Sequence, residues 1–292
     1  MAKYREIRGR IQGIENTSKI TQAMKMVAAA KLRRAQDAII AARPYGQKLQ
    51  ELLGYLAGSD ELVSPLFEQR EITRVALVII SADRGLAGAF NTNVFRAATI
   101  EINTRYAELN ARGALDIICV GKRSVEYFTR RGFNVIAQYP GIFANLQFSF
   151  ARGLVTMLTE GFIEGRYDRV EIIGNTFKSA ARQSVEVTQL LPIAKITGGT
   201  EGAQPVDYIF EPSKDQLLNA LLPKHLNTQM WNALLDSNAA EHAARMAAME
   251  NATKNAKDLV RELKLTYNRA RQAAITTEIL EIVSGAEALK AQ

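Results

Sequence analysis

The sequence predicts an α/β protein in which long N- and C-terminal helices wind into one antiparallel coiled coil, while the middle of the chain folds as a helix-covered parallel sheet. Three observations carry this. Chain breakers are confined to the middle: apart from Gly9 and Gly13 nothing interrupts the chain before Pro44, and from Lys224 to Gln292 there is one glycine, Gly285, and no proline. The start of the chain has a heptad-like repeat. The middle alternates apolar, strand-like runs with helical stretches.

The N-terminal segment, residues 1–57, places Ile7, Ile11, Ile14, Ser18, Thr21, Lys25, Ala28, Leu32, Ala35 and Ile39 at an unbroken 4,3 spacing. Ser18, Thr21 and Lys25 make that seam polar, and a neighbouring stripe of Ile20, Met24 and Val27 is expected to take over there. Pro44 is expected to kink or end the helix, with Tyr45 to Ala57 as a continuation. The central domain, residues 70–195, reads as strand at Arg74–Ser81, Leu115–Gly121, Asn134–Tyr139, Val170–Asn175 and Val185–Leu191. Helices are expected at Asn91–Arg112, Lys122–Arg131 and Leu146–Gly165. Continuously apolar strands alternating with helices imply a Rossmann-like parallel sheet covered on both faces. The C-terminal segment, residues 208–292, opens with Ser213 and Gln216 three positions apart, a capping-box pattern. Lys224 to Ser284 is 61 residues, about 90 Å if one helix, so it needs a partner along its length. Its seam is small at Ala240, Ala244, Ala247, Ala252, Ala256, Ala270 and Ala274, with Met249, Leu259, Leu263 and Tyr267 interleaved. Alanines permit close approach, and the basic N-terminal helix is the obvious neighbour.

Charge is concentrated. Residues 1–44 hold ten basic groups against three acidic ones, which is the whole net +7; the other residues hold 27 of each sign. A positive arm on a neutral body calls for an anionic partner. The N-terminal MAKYREIRGR lacks the apolar core of a secretory signal, and no run of about 18 apolar residues suggests a membrane span. Cys119, the one cysteine, lies in the apolar run LDIICVG and reads as a small buried hydrophobe.

The search for chemistry yields little. The first strand leads into Asp83-Arg84-Gly85-Leu86-Ala87-Gly88, at the strand end where α/β folds bind ligands, but neither phosphate-binding glycine fingerprint is present. A small-ligand enzyme built on that loop is one competing reading; a tight strand-to-helix turn is the simpler one. His225 and His242 are too far apart for a local metal pair, and no nucleophile elbow appears. Neither cofactor nor metal is expected. A nucleic-acid-associated α/β protein with a helical arm is the other competing reading. Charge and helical form favour it; the lack of aromatics between Tyr4 and Tyr45, and apolar heptad positions that need a protein partner, count against it.

Two terminal stretches carry a resemblance: Asn16-Thr17-Ser18-Lys19-Ile20-Thr21-Gln22-Ala23-Met24-Lys25-Met26-Val27-Ala28-Ala29-Ala30-Lys31, and Tyr267 to Ala286 with its run Ile275-Thr276-Thr277-Glu278-Ile279-Leu280-Glu281-Ile282-Val283-Ser284-Gly285-Ala286. Together with the strand leading into Asp83-Arg84-Gly85-Leu86, they resemble the gamma subunit of F-type rotary ATP synthase over essentially the whole chain. The middle lacks the long insertion of photosynthetic gamma subunits, which favours a non-photosynthetic bacterial form. The resemblance implies a non-catalytic central-stalk rotor in a proton-translocating synthase. Its coiled coil would stand inside a hexamer of alpha and beta subunits, and its α/β domain would stand on the c-ring beside the epsilon subunit. The chain would lie at the cytoplasmic face of the bacterial inner membrane, held there only through the complex. It further implies a hexamer contact by Lys19, Met24, Arg33, Arg34, Arg271, Gln272, Thr276, Glu278 and Glu281, and a c-ring or epsilon contact by Lys31 and Tyr208.

Overall fold

The structure, a computed structural model, describes residues 2–57, 64–180, 182–194, 211 and 213–290. The chain divides into two units, Ala29–Ala244 and Met1–Ala28 with Arg245–Gln292. It is built from α1 (Ala2–Ala57), β1 (Val75–Ile80), α2 (Phe90–Thr104), α3 (Ala107–Ala111), β2 (Leu115–Val120), α4 (Lys122–Arg130), β3 (Val135–Tyr139), α5 (Phe148–Ile163), β4 (Arg169–Phe177), β5 (Gln183–Leu191) and α6 (Lys214–Lys290).

The larger unit holds a five-stranded sheet in the order β3-β2-β1-β4-β5. Strands β3, β2, β1 and β4 are parallel, as the continuously buried runs of the central β1 and β2 indicate; β5 departs from the expectation and runs antiparallel to β4. The reason is the length of the connection. A parallel return needs a crossover of about a dozen residues, but β4 turns into β5 through a short loop closed by reciprocal backbone bonds between Ser179 and Arg182 (3.1 and 3.2 Å). Period-two geometry then sorts β1 onto two cores. Ala76, Val78 and Ile80 face α5, the second half of α1 (Leu49, Leu53, Leu56) and the start of α6 (Leu218, Leu222, Leu226, Met230, Leu234). Val75, Leu77 and Ile79 face α2 and α4, through Val94, Phe95, Ala98, Ile102 and Phe128. Cys119 belongs to this second core, fully buried, and burial pushes its thiol up to about 12. It is an apolar filler, as the sequence suggests.

The helix expected over Asn91–Arg112 is broken in two. The chain leaves helical geometry at Tyr106, which is buried, and Arg105 reaches the buried carboxylate of Glu171 at 3.0 Å. There it joins Arg169, 3.7 Å from the same carboxylate, in neutralising a buried charge. Neither proline ends its helix: Pro44 lies inside α1 and Pro223 inside α6. Both are exposed, so water can take the carbonyl that each leaves without a donor. At the start of α6 the Ser213 Oγ accepts from Gln216 N at 3.3 Å, the cap the sequence indicates.

Asp236 on α6 yields a pH prediction. Burial, with Glu186 adding to it, pushes its carboxyl up to about 6, although Arg43 and the Phe177 N–H pull the other way. A folded pKa above the unfolded one means the native state holds the proton longer, so stability falls as pH rises from about 4 to 6. Asp236→Asn is therefore expected to raise unfolding stability at pH 7 by on the order of 2 kcal/mol and to have no effect below about pH 4. Urea unfolding of both proteins across that range checks it.

In the smaller unit α1 and α6 run antiparallel, since the partner's number falls as the first rises: Glu15 pairs with Lys264 at 2.8 Å, Thr21 with Thr253 at 2.7 Å and Lys25 with Glu250 at 2.7 Å. Both sides keep a 4,3 seam. On α1 it is Ile7, Ile11, Ile14, Ser18, Thr21, Lys25 and Ala28; on α6 it is Met249, Thr253, Ala256, Val260, Leu263, Tyr267, Ala270 and Ala274, all buried or half-buried. The expected takeover by Ile20, Met24 and Val27 does not occur: Ile20 and Val27 are 60% and 58% exposed. The polar seam closes on itself instead: the two threonine hydroxyls lie 2.7 Å apart, so one donates to the other while the second donates to its own helix carbonyl, Ser18 O for Thr21 or Met249 O for Thr253. Three seam assignments on α6 also change, Ala252 yielding its place to the buried Thr253. Ala247 and Leu259 are exposed, and Val260 takes the inward place, because a 3.6-residue helix lets one heptad phase face the partner and turns its neighbours outward.

Candidate partner-contact surfaces

The residues singled out from the sequence lie on α1 and α6, and those helices present them outward. In the smaller unit Lys19, Arg271, Gln272, Thr276, Glu278 and Glu281 are exposed and Met24 is half-buried; in the larger unit Lys31, Arg33 and Arg34 are exposed while Leu32 and Ala35 between and beside them are buried. Tyr208 lies outside the described residues. Helical geometry groups the C-terminal set: Arg271, Glu278 and Glu281 fall within one side of α6, and Gln272 and Thr276 within the next. Thr276 donates to the Gln272 carbonyl at 3.0 Å, which ties its hydroxyl to the helix.

Charge on these surfaces is uncommitted. Among the described residues no ion pair or hydrogen bond engages the side chains of Lys19, Lys31, Arg33, Arg34 or Arg271. The arm's other charges are partly spent within the coil. Lys25 meets Glu250, and a hydrogen bond and the charge of Lys264 hold the Glu15 carboxyl below the usual range. What remains outward is cationic on α1 and mixed on α6.

Sequence reasoning missed a set of apolar residues. Ile275, Ile279, Leu280, Ile282 and Val283 are 45%, 55%, 60%, 71% and 48% exposed on one stretch of α6. Glu15 lies opposite Lys264, so α1, which starts at Ala2, extends the pairing only to about position 277. Beyond that no described residue of α1 lies opposite the helix, and a cluster of large exposed apolar side chains there marks a protein contact. The signal was present in the sequence as an apolar stripe that outlasts the heptads of α1.

The Asp83 loop takes a different role from a ligand site. The Asp83 carboxylate accepts from Lys122 N (2.9 Å), Gly141 N (2.7 Å) and Phe143 N (3.3 Å), and Asn91 Oδ1 accepts from Ala82 N at 2.9 Å. Amides beyond the carboxyl ends of β2 and β3 that would otherwise be available to a phosphate thus hold this carboxylate, and the one after β1 is taken by Asn91. Leu86 sits in the left-handed region (φ 63°) and is 67% exposed. No cluster of three or more potential metal ligands occurs among the described residues.

Paired terminal helices with outward charge, and an α/β body whose strand ends are closed by its own carboxylate, define a helical stalk protein made for contact. Comparison with known proteins makes this specific. The ATP synthase family model matches residues 3–289. An ATP synthase gamma chain of Chlorobium phaeobacteroides is 48% identical over 292 residues, covering 99% of this chain and all of that one. The gamma chain of Cytophaga hutchinsonii is 48% identical over 293 residues, covering 99% of each. Among solved structures, a chain of the Tetrahymena thermophila mitochondrial ATP synthase central stalk and c-ring superposes with a TM-score of 0.58 at 28% identity, covering 80% of this chain and 99% of that one. A chain of the Euglena gracilis mitochondrial assembly of OSCP, F1 and c-ring superposes with a TM-score of 0.73 at 24% identity over 99% and 95% of the two chains, which speaks for the fold. The chain belongs to the ATP synthase gamma chain family. It is a non-catalytic, central-stalk subunit of the ATP synthase complex, and no helix among its described residues is long and apolar enough to cross a membrane.

Proposed function

We propose that this chain is the rotor of a proton-translocating ATP synthase, coupling rotation of a membrane c-ring to conformational change at catalytic sites on beta subunits. The observation that carries this reading is the antiparallel pairing of the two chain ends through Glu15–Lys264, Thr21–Thr253 and Lys25–Glu250. A coil whose strands are joined across a polar layer resists sliding and can transmit torque. In this reading Lys19, Met24, Arg33, Arg34, Arg271, Gln272, Thr276, Glu278 and Glu281 meet the alpha and beta subunits. The unpaired cations attract acidic loops over a distance of about a Debye length, without a fixed geometry, which suits a contact that must slip and re-form. The apolar end of α6 turns inside a sleeve, a contact without directional bonds. Lys31 and Tyr208 lie toward the c-ring and the epsilon subunit, and the chain is held at the cytoplasmic face of the bacterial inner membrane only through those partners.

The experiment is purification through a tag on this chain. A hexamer of two nucleotide-binding subunits is expected to accompany it, with ATP turnover in the complex and none in the isolated chain. Recovery of the chain without such subunits, or ATP hydrolysis by the pure chain, would overturn the reading.

A further inference from the structure

Within the larger unit, the second half of α1, the end of β5 and the start of α6 enclose a cleft of about 350 Å³ that no contact described so far uses. That volume falls in the range of small-molecule sites. Its floor is set by a close helix approach. A Cβ on Gly46 would lie 3.3 Å from both Asn232 Nδ2 and Thr228 Cγ2, so α1 and α6 touch there through backbone and short side chains.

The wall is polar and underemployed. Arg43, Gln47 and Gln50 on α1 face His225, Gln229 and Asn232 on α6. Among the described residues none of these six side chains has a hydrogen-bond partner. His225 is the most telling: it is 8% exposed, lines the cleft, and is held neutral because burial lowers its pKa. Its imidazole has no hydrogen-bond partner among the described residues and borders the cleft, so it is open to a ligand there. Among the described residues no acidic side chain lines the cleft. Of the charged groups nearby, Asp236 acts on Arg43 only through space, and Glu186, which faces Asp236, is paired with Lys178 at 3.1 Å. Among the described residues the one fixed charge on the wall is therefore the guanidinium of Arg43.

We propose that this cleft binds a small hydroxylated oxyanion of the phosphate-monoester class, with its anionic group between Arg43 and His225 and its hydroxyl groups across Gln47, Gln229 and Asn232. A guanidinium presents paired N–H donors that match two oxygens of a phosphate. The side-chain amides both donate and accept, which suits hydroxyl groups rather than a second anion. The volume exceeds what inorganic phosphate fills, which favours an ester over the free ion.

The chain has two histidines, so imidazole NMR of the full-length protein resolves the site, with His242 as an internal reference. The probes are glycerol 3-phosphate and inorganic phosphate, each against sodium chloride at equal ionic strength. Glycerol 3-phosphate is expected to shift the His225 signals saturably, and to move its titration midpoint upward by placing an anion beside it, while His242 stays still. It is also expected to bind several-fold tighter than inorganic phosphate. Arg43→Gln, a substitution on an exposed position, should weaken binding at least tenfold with an unchanged amide spectrum, and Gln229→Leu should reduce the preference for the ester. Absence of a saturable shift up to about 10 mM, an equal shift with chloride, or undiminished binding by Arg43→Gln would overturn the site. Equal affinity for the two phosphates would overturn the assignment to an ester.

Discussion

Replacing Arg33 and Arg34 together by glutamate is expected to lower ion-driven ATP synthesis by at least fivefold while leaving the fold intact. Both guanidinium groups are exposed and unpaired among the described residues, so reversal disturbs no internal contact; Leu32 and Ala35, which pack inward, are untouched. Surface substitutions of this kind change stability by about 0.5 kcal/mol or less. The reversal nevertheless changes the charge of α1 by four units, converting attraction for an acidic partner into repulsion. The effect should be largest at low ionic strength, because salt screens exposed charges over about 10 Å at 0.1 M. Arg33→Lys with Arg34→Lys keeps the charge and should retain most of the activity. Synthesis in vesicles carrying the reassembled complex, set beside thermal melting of the chain, separates coupling from folding. Normal synthesis by a correctly assembled Glu/Glu variant would remove the charge-based contact from the rotor reading.

The largest loss of stability is expected from Gly121→Ala. Gly121 joins β2 to α4 at φ 95°, and a Cβ there would lie 2.0 Å from the carbonyl oxygen of Ser81 and 3.0 Å from its Oγ. Neither atom can yield easily. Ser81 N donates to Val120 O at 2.8 Å, and its hydroxyl accepts from Ser124 N at 2.8 Å, so moving Ser81 breaks the join between two central strands. The left-handed backbone alone costs an alanine roughly 1–3 kcal/mol; with the clash, a loss of at least about 3 kcal/mol is expected. Gly113 is the control. It has φ 68°, but a Cβ there would meet nothing within 4 Å, so Gly113→Ala should cost only the left-handed backbone, about 1–2 kcal/mol. Urea unfolding of the two variants under the same conditions gives the comparison, and equal losses would show that close approach to Ser81 does not govern the site.

Much of the architecture is legible from local pattern. Six apolar residues in a row at Val75–Ile80, and a nearly unbroken run at Leu115–Val120, point to parallel central strands because a strand buried on both faces has no polar side to show. Ser213 lies in the expected cap, while the second strand stops one residue short of its expected end and Gly121 turns the chain into α4. Errors arose where a distant partner decides. The direction of β5 depended on the length of a turn, the break at Tyr106 accompanies the reach of Arg105 to a buried glutamate in β4, and the fate of Ile20 and Val27 depended on what α6 offered opposite them. The candidate surfaces divide the same way. Lys19, Arg33, Arg34 and Arg271 were readable as charge on helices; the stripe from Ile275 to Val283 is signalled only by outlasting the heptads of α1, because an apolar stripe by itself looks the same whether a partner within the chain covers it or not.

The amino-acid sequence by itself determined the family, the two long terminal helices, the strand–helix alternation of the middle and the location of the positive charge, since each is written in periodicity, composition or a contiguous motif. Only the tertiary structure decided that Thr21 meets Thr253 and Lys25 meets Glu250, that Asp83 gathers the backbone of three loops, and that Arg43 and His225 share a cleft. These pairs are separated by tens to hundreds of residues. Period and propensity act over a few residues along the chain, whereas the choice of partner is made by packing across it.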